Sequence, residues 1–405
     1  MLTFSAKPLC MAKLTIVLLC FLMSLPPGIK AQTVYPASSW EVVPPAAVGL
    51  HPDSLAALDA TLAGGAQGYI DGMLVIRHGK IAYQRIYAHD YAKIYEAEAK
   101  RKSGLNASDP TGPYNYANAW WHPWYQKGDL HTLQSVTKTI TSVIIGMAVT
   151  RGEFPDINTP VLKFYDTTKV AHIDDRKRRM RIRHLLTMTA GFKWDEAIHY
   201  DNPKNDCSVM EASMDWIGYV INRPMSDEPG ARFNYNSGAT ELLADIFYKA
   251  TGWDIEEYAV KNLFRPLGID KHYWKRTAMG LVDTEGGLYL RPADLARIWY
   301  LFLHNGNWNG QQLVSQEWVR QSLTPAITVG GTMQYGYKWW LNTLPAEKPV
   351  RVWQGNGFGG QYPVILPDYD MIVVFNGWNI RDGDSSLRLR EALLKLVRAT
   401  ESVRK

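Results

Sequence analysis

The chain has 405 residues, of which 46% are apolar and 20% are charged, so it is long enough to bury one large core or two smaller ones and too apolar to be disordered. Its formal net charge is +5, but residues 1–31 carry three of the lysines and no acid, so the remainder carries +2. This small surplus argues against a nucleic acid partner.

Residues 1–31 have the order of a secretory signal peptide. Lys7 and Lys13 precede an apolar run over 14–25 that is too short for a comfortable membrane span. We therefore expect an exported protein, periplasmic or secreted, that contacts a membrane only if this segment stays uncleaved as an anchor. Cleavage would leave Cys207 as the only cysteine, which excludes an internal disulfide. Without a cysteine cluster or a His-x-x-x-His pair, we predict no metal and no cofactor.

Hydrophobic periodicity predicts a change of character along the chain. The first part has a predicted helix at 52–63, a β-hairpin with strands at 73–76 and 81–87, and helical character at 91–102. The middle has little strand signal, and helices are predicted at 182–188, 207–220 and 237–250.

The last part returns to strands and helices. Strands are predicted at 286–290, 337–341, 350–353, 361–366 and 371–375, and helices at 292–304, at 315–322 and from 389 onward. We therefore predict an α/β (α+β) fold with an antiparallel sheet flanked by helices. A discontinuous α/β domain (45–150 and 270–400) would be interrupted by an all-helical domain (151–269).

One stretch, 134–142, places a serine three residues before a lysine at the start of a buried helix. Positions i and i+3 share a helix face, so the amine of Lys138 can reach the hydroxyl of Ser135. The N-H groups and positive dipole end of a helix N-terminus stabilise an oxyanion and disfavour a protonated lysine. We expect an unprotonated Lys138 to take the proton of Ser135.

This signal alone is weak. Ser-x-x-Lys is expected about once by chance in such a chain, and a second copy stands at Ser402 to Lys405. The structural alternative is that Ser135 only caps a core helix and that Lys138 extends to solvent.

Two further segments strengthen the catalytic interpretation. Tyr235 stands in a loop that leads into a helix, where it can relay a proton between Ser135 and a leaving group, with a pKa lowered by the lysine charge. The glycine-dense segment 355–361 enters a strand and lets the backbone approach a substrate, so that one of its N-H groups can complete an oxyanion hole. Each has a plainer explanation, an aromatic residue at a helix entry and a β-bulge.

Together, Ser135-x-x-Lys138, Tyr235-x-Ser237 and Gly355-Asn356-Gly357 resemble the three motifs of the β-lactamase-like serine hydrolases. This superfamily includes class C β-lactamases, penicillin-binding DD-peptidases, esterases and the 6-aminohexanoate-dimer hydrolases. Supporting matches over most of the chain are at 184–191, 263–268 and 286–288.

The resemblance implies an active site in the cleft between an α/β domain and a helical domain. It implies that Ser135 is the acylated nucleophile and that Lys138 and Tyr235 transfer the proton. The N-H groups of Ser135 and Phe358 would form the oxyanion hole.

The sequence also departs from the β-lactamase pattern. There the second motif ends in asparagine and the third begins with lysine, but here Ser237 ends the second, and Gly355 or Asn356 stands in place of the cation. A cation would pair with the carboxylate of a β-lactam or peptide, so its absence disfavours that activity. A serine in the second motif is similar to the 6-aminohexanoate-dimer hydrolase branch and its esterase relatives. We expect Ser237 to orient Lys138 by a hydrogen bond, and Asn356 and Gly357 to support the oxyanion site.

Several other residues have weaker functional signals. The aromatic residues Trp120, Trp121 and Tyr125 precede Ser135 and are predicted as a wall of the substrate pocket, although dense aromatics more often serve packing. His122 beside them is a weaker candidate for substrate contact, whereas His184, within an apolar helix, is predicted to be structural. The polar residues Asp195, Glu196, His199 and Asp201 are predicted to form a surface loop near the cleft entrance.

The leading hypothesis is an exported serine hydrolase that cleaves a small ester or amide through an acyl-enzyme. The alternatives are a β-lactamase or DD-peptidase, and a binding or regulatory module that kept the fold and lost turnover. Intact Ser135, Lys138 and Tyr235 speak against such a module. A classical α/β-hydrolase is disfavoured because the chain has no Gly-x-Ser-x-Gly.

Overall fold

The computed structural model describes residues 1–3, 33–107 and 109–401. The predicted signal peptide therefore lies almost entirely outside the described residues, as does the second Ser-x-x-Lys. No helix within the described ranges is both long and apolar enough to cross a membrane.

An antiparallel sheet of eight strands is the largest sheet in the described part of the chain, with the order β2-β1-β13-β12-β11-β10-β9-β8. The strands are β1 (Ile70–Arg77), β2 (Lys80–Ile86), β3 (His131–Thr132), β4 (Tyr273–Trp274), β5 (Leu288–Leu290), β6 (Asn307–Trp308), β7 (Gln311–Gln312), β8 (Ile327–Gly330), β9 (Met333–Tyr335), β10 (Trp340–Leu344), β11 (Val350–Gln354), β12 (Tyr362–Leu366) and β13 (Met371–Gly377).

The helices of the described residues pack on both faces of this sheet. They are α1 (Pro52–Ala63), α2 (Tyr91–Ile94), α3 (Glu96–Lys100), α4 (Val136–Thr150), α5 (Asp175–Arg179), α6 (Ile182–Leu186), α7 (Asp206–Glu211), α8 (Trp216–Ile221), α9 (Gly238–Thr251), α10 (Ile255–Ala259), α11 (Arg265–Leu267), α12 (Pro292–Leu303), α13 (Gln316–Ser322) and α14 (Leu389–Glu401). A π-helical segment, Val260–Phe264, joins α10 to α11.

Strand β1 is buried along its whole length because both faces of the sheet are covered. Its alternate side chains enter different cores, since successive residues of a strand point to opposite faces. Leu74 and Ile76 join the core that contains α4, α9 and α12. Met73 and Val75 join the core formed with α1 and α14. The sheet is thus the middle layer of a three-layer packing.

A small sheet with the order β3-β5-β4 positions the segment that leads into α4. Just after β3, the N-H of Leu133 donates to the carbonyl of Leu288 in β5 (2.9 Å). The pairing joins the segment before Ser135 to the segment that carries Glu285.

The predicted fold class is confirmed, and most predicted elements are present with ends shifted by a few residues. The single helix predicted at 207–220 is wrong, because α7 and α8 are separate and the side chain of Asp215 caps the N-H of Gly218 to begin α8. The strand predicted at 337–341 begins only at Trp340. The division into a discontinuous α/β domain and a helical domain stays a prediction.

Candidate active site

Ser135 stands at the N-terminus of α4, directly after a residue in a left-handed conformation. Gln134 has φ +47°, and its side chain donates to the hydroxyl of Thr132 (2.8 Å), which fixes the sharp turn out of β3. The side chain of Ser135 makes no capping hydrogen bond. Its Oγ accepts from Nζ of Lys138 instead (2.8 Å). The alternative that Ser135 is only a helix cap is therefore wrong.

Lys138 is buried with 1% of its surface exposed, so it does not extend to solvent. Its Nζ donates to Oγ of Ser135 (2.8 Å), to the carbonyl of Glu285 (2.6 Å) and to the carboxylate of Glu285 (2.9 Å). An ammonium group has three N-H donors, and these three acceptors use all of them.

The protonation of Lys138 differs from the sequence-based expectation. Burial by itself would lower the pKa of Lys138, but the negative charge of Glu285 raises it well above its usual value. The expected unprotonated lysine is therefore wrong. At rest Lys138 is the cation of a buried ion pair with Glu285.

Tyr235 lies beside this ion pair and is a neutral phenol. The Nζ of Lys138 lies 5.3 Å from the centre of the Tyr235 ring, and Ser135 is near enough to the phenol to lower its pKa. Burial raises the pKa of Tyr235 to about 12, which outweighs the lowering by Lys138. The expected lowering of this pKa is therefore wrong, and Tyr235 is a proton donor at neutral pH.

The second motif is held by Glu196 rather than by Lys138. The N-H and Oγ of Ser237 donate to the carboxylate of Glu196 at 2.8 and 2.6 Å. The indole of Trp194 (2.8 Å) and the hydroxyl of Tyr200 (2.9 Å) donate to the same carboxylate. Ser237 thus orients its own loop, and its predicted hydrogen bond to Lys138 is replaced by one to Glu196. Glu196 is 7% exposed, so the surface loop predicted there is wrong at this residue.

The third motif brings the backbone close to the turn before Ser135. A Cβ added to Gly357 would lie 2.5 Å from the carbonyl oxygen of Leu133, so only glycine fits there. Asn356 is half-buried in the same segment. Among the residues that the structure describes, neither the N-H of Ser135 nor that of Phe358 donates to another protein group. Both are available to bind a substrate oxygen, as the oxyanion prediction requires.

A second carboxyl group shares the environment of Glu285. The side chains of Glu211 and Glu285 hydrogen-bond each other, and the hydroxyl of Tyr116 donates to Glu211 (2.5 Å). Burial, followed by the charge of Glu285, raises the pKa of Glu211 well above its usual value. Burial also opposes ionisation of Glu285, but Lys138 more than compensates and lowers its pKa. Glu211 is therefore the protonated partner and Glu285 the anion.

These carboxyl groups and Cys207 are near enough to suggest a cation site. The potential ligand atoms of Cys207, Glu211 and Glu285 lie within 4.8 Å of one another. The thiol contacts Glu285 (3.6 Å), and both carboxyl groups are already engaged by Lys138 and Tyr116. Since protein donors satisfy them, we assign no metal to this group.

The aromatic residues predicted as a pocket wall lie elsewhere. Trp120 is 50% exposed, whereas Trp121 and Tyr125 pack on the ring of Tyr273 with ring centres 6.0 and 4.0 Å apart. None of the three lines the cavity that contains Ser135 in the described structure.

The two histidines are structural. His122 is buried, its ring stacks on Trp378 at 5.1 Å and hydrogen-bonds the hydroxyl of Tyr289, and burial lowers its pKa well below the usual value. His184 accepts from the N-H of Arg181 (3.1 Å), and burial lowers its pKa to about 4. A substrate contact by His122 has no support.

The sequence reasoning missed Glu285 and placed Glu196 in a surface loop instead of the buried site. Glu285 precedes the Gly286-Gly287 pair, and an acid at this turn was the available signal. Glu196 had no signal of its own, because its surroundings in the sequence are as polar as those of an ordinary surface loop.

The fold and this constellation define a class, and comparison with known proteins identifies it. The model of the beta-lactamase family matches residues 58–394, so the chain belongs to that family. Its members with the same fold are hydrolases and acyltransferases.

Individual relatives agree with this assignment. A 6-aminohexanoate-dimer hydrolase from Paenarthrobacter ureafaciens is 23% identical over 63% of this chain and 68% of its own length. A monacolin J acid methylbutanoyltransferase from Aspergillus terreus is 27% identical, but the match spans only 34% of this chain and 36% of the transferase. Among solved structures, EstCE1, a hydrolase with promiscuous acyltransferase activity, has a TM-score of 0.60 at 15% identity and covers 86% of this chain and 98% of its own.

Proposed function

We propose that this protein is an exported serine hydrolase that cleaves small ester or amide substrates through an acyl-enzyme on Ser135. The observation that carries the proposal is the 2.8 Å contact between Nζ of Lys138 and Oγ of Ser135, at a buried helix N-terminus. The ring of Tyr235 beside this contact, with its centre 5.3 Å from Nζ of Lys138, supports it.

Acylation begins with loss of the Ser135 proton. Lys138 is already protonated, so it accepts this proton only while it passes another to the carboxylate of Glu285, 2.9 Å away. Oγ of Ser135 then forms its bond to the substrate carbonyl carbon, and the N-H groups of Ser135 and Phe358 receive the oxyanion.

The tetrahedral intermediate collapses when the leaving oxygen or nitrogen takes a proton from Tyr235. The proton held by Glu285 returns through Lys138 to the phenolate, so the enzyme differs from its resting state only by the acyl group. Water attacks that ester by the same steps in reverse order, which releases the acid and restores Ser135.

A β-lactamase or DD-peptidase activity is the second candidate, and the third motif disfavours it. Gly355 and Asn356 offer no cation to the carboxylate that β-lactams and peptidoglycan peptides carry. We expect little turnover of nitrocefin, and rapid turnover would replace the esterase proposal by this one. The alternative of a binding or regulatory module without turnover does not explain why Lys138, Tyr235 and Ser135 lie together in a buried site.

The proposal is tested with p-nitrophenyl acetate and with intact mass spectrometry of the acylated protein. Ser135→Ala should lower kcat/KM by at least about a thousandfold, because the covalent route is lost. Ser142→Ala is the matched control, since this buried serine lies in the same helix and its hydroxyl has no partner among the described residues. Lys138→Ala and Tyr235→Phe should each be nearly as damaging.

Three outcomes would contradict the mechanism. Unchanged hydrolysis by Ser135→Ala would remove Ser135 from it. An acyl adduct on another residue would do the same. Small and additive losses from Lys138→Ala and Tyr235→Phe would contradict a shared proton relay.

Export is a separate part of the proposal and depends on residues 1–31. Expression of the full chain in a bacterial host should give a mature protein outside the cytoplasm that lacks this segment. Mass measurement of the N-terminus tests it, and an uncleaved cytoplasmic protein would contradict it.

A further inference from the structure

A small cavity opens beside the hydroxyl of Ser135. Its volume is about 20 Å³, and a single water needs roughly 10–15 Å³ on this measure. Leu105, Tyr200 and Phe358 line it together with Ser135, and Glu211 and Glu285 line it as well. The cavity has room for about one water or one methyl-sized group.

The position of Tyr235 decides which part of a substrate enters this cavity. The leaving group must face Tyr235, because this residue supplies its proton. Ser135 is part of the cavity lining, whereas Lys138 and Tyr235 are not. Phe358, whose N-H faces the oxyanion in the proposed mechanism, does line it. The cavity therefore lies on the acyl side of the scissile bond.

The walls of the cavity are held against each other by three distant segments of the chain. A Cβ added to Gly104, next to Leu105, would lie 2.0 Å from the carbonyl oxygen of Tyr200. That carbonyl accepts from the hydroxyl of Ser208 (2.7 Å). The ring of Tyr200 packs on that of Phe358 with centres 4.8 Å apart. A longer acyl chain would have to displace one of these packed segments.

The charge inside the cavity adds a second restriction. Glu285 is ionised, and the protonated side chain of Glu211 hydrogen-bonds it. A carboxylate on the acyl group would approach the anion of Glu285 in a buried, weakly screened site, and like charges in such a site repel strongly.

We propose that this cavity is the acyl subsite and that it restricts the enzyme to short acyl groups without negative charge, with acetyl preferred over longer chains. The inference depends on the proposed function, because it assigns the acyl group carried by Ser135. Leu105 is its specificity-determining residue, since this apolar side chain has no polar role in the site.

The test compares p-nitrophenyl acetate, butyrate and hexanoate, with intact mass spectrometry to detect acyl-Ser135. For the wild-type protein we expect kcat/KM for butyrate to be at least about tenfold below that for acetate, because one misfit methylene in a pocket costs about 10-fold to 200-fold. Leu105→Ala should raise the ratio of butyrate to acetate by about tenfold. Leu105→Val should raise it less and serves if the alanine variant does not fold.

The matched control is Leu58→Ala, which truncates another buried leucine, in the core on the α1 side of the sheet. It should lower stability and leave the chain-length preference unchanged. Equal kcat/KM for acetate, butyrate and hexanoate would overturn the inference alone, as would an unchanged ratio in both Leu105 variants. Absence of any acyl adduct on Ser135 with every ester would instead refute the proposed function, and this inference with it.

Discussion

Glu285→Gln should change the dependence of catalysis on pH, and not only its rate. In the wild-type protein the carboxylate of Glu285 lies 2.9 Å from Nζ of Lys138, with exposed side-chain fractions of 5% and 1%. The variant keeps the shape of the side chain but removes both the proton acceptor and the main charge that raises the pKa of Lys138.

The burial of the ion pair sets the size of the effects of Glu285→Gln on stability and rate. Removal of one partner of a buried ion pair costs about 3 to 5 kcal/mol, and this is an upper limit because Lys138 can lose its proton instead. Burial, which lowers the pKa of Lys138, is then opposed by less negative charge, so this pKa falls. Loss of a general base costs about 100-fold to 10,000-fold in rate.

The contributions of Lys138 and Glu285 to the stability of the wild-type protein depend on pH in opposite directions. The pKa of Lys138 is raised, so its contribution to stability is complete below its usual value of about 10.4 and is lost as the pH rises through the folded value. The pKa of Glu285 is lowered, so its contribution is present above its usual value of about 4.3 and is lost as the pH falls through the folded value. Between about pH 5 and pH 9 the pair is intact, and the wild-type rate should be flat.

In the variant only neutral Lys138 can take the proton of Ser135. The logarithm of kcat/KM for p-nitrophenyl acetate should therefore rise with a slope of about one per pH unit until Lys138 is deprotonated. Glu211→Gln is the control, because it replaces a carboxyl group that is already protonated, and it should keep the flat profile. A Glu285→Gln profile parallel to that of the wild type would refute the role of Glu285 as proton acceptor.

Two further substitutions test the support of the site. Glu196→Gln should lower the melting temperature and reduce kcat by about tenfold, because an amide leaves some of the four buried donors unpaired at about 1 to 3 kcal/mol each. The exposed Glu317→Gln is its control. Equal stability of both variants would contradict the role of Glu196 in holding the second motif. Gly357→Ala should reduce kcat about 100-fold or more with a smaller effect on KM, because the new Cβ would lie 2.5 Å from the carbonyl oxygen of Leu133 and displace the oxyanion donors. A Cβ added at Gly330 meets no atom within 4 Å, so Gly330→Ala is the control and should keep the wild-type kcat. Full activity of Gly357→Ala would show that the segment can shift without loss of catalysis.

Patterns that repeat along the chain predicted the fold well. The helix at 52–63 was predicted with the observed bounds because Leu55, Leu58 and Leu62 repeat at helical spacing and all enter one core. The one serious error in the helices was at 207–220. There the apolar spacing continues across a break, and the prediction overlooked the local cap by which Asp215 begins α8.

The site was predictable only where residue type and spacing carry the chemistry. The contact of Lys138 with Ser135 follows from i and i+3 on one helix, so it was found. The protonation of Lys138 depends on a carboxylate 147 residues further along the chain, and local spacing carries no information about such a partner. The burial of Glu196 was not predicted for the same reason, because it arises only when the loop of Glu196 folds onto Ser237.

Cys207 has a consequence for labelling experiments. It is the sole cysteine after residue 20, it is 2% exposed, and burial raises the pKa of its thiol well above the usual value. The thiolate is the nucleophile that attacks alkylating reagents, so a buried and protonated thiol should stay inert toward maleimides. A cysteine introduced at the exposed Met214 would then be the more reactive of the two cysteines after residue 20, and it could carry a fluorophore or spin probe without removal of Cys207.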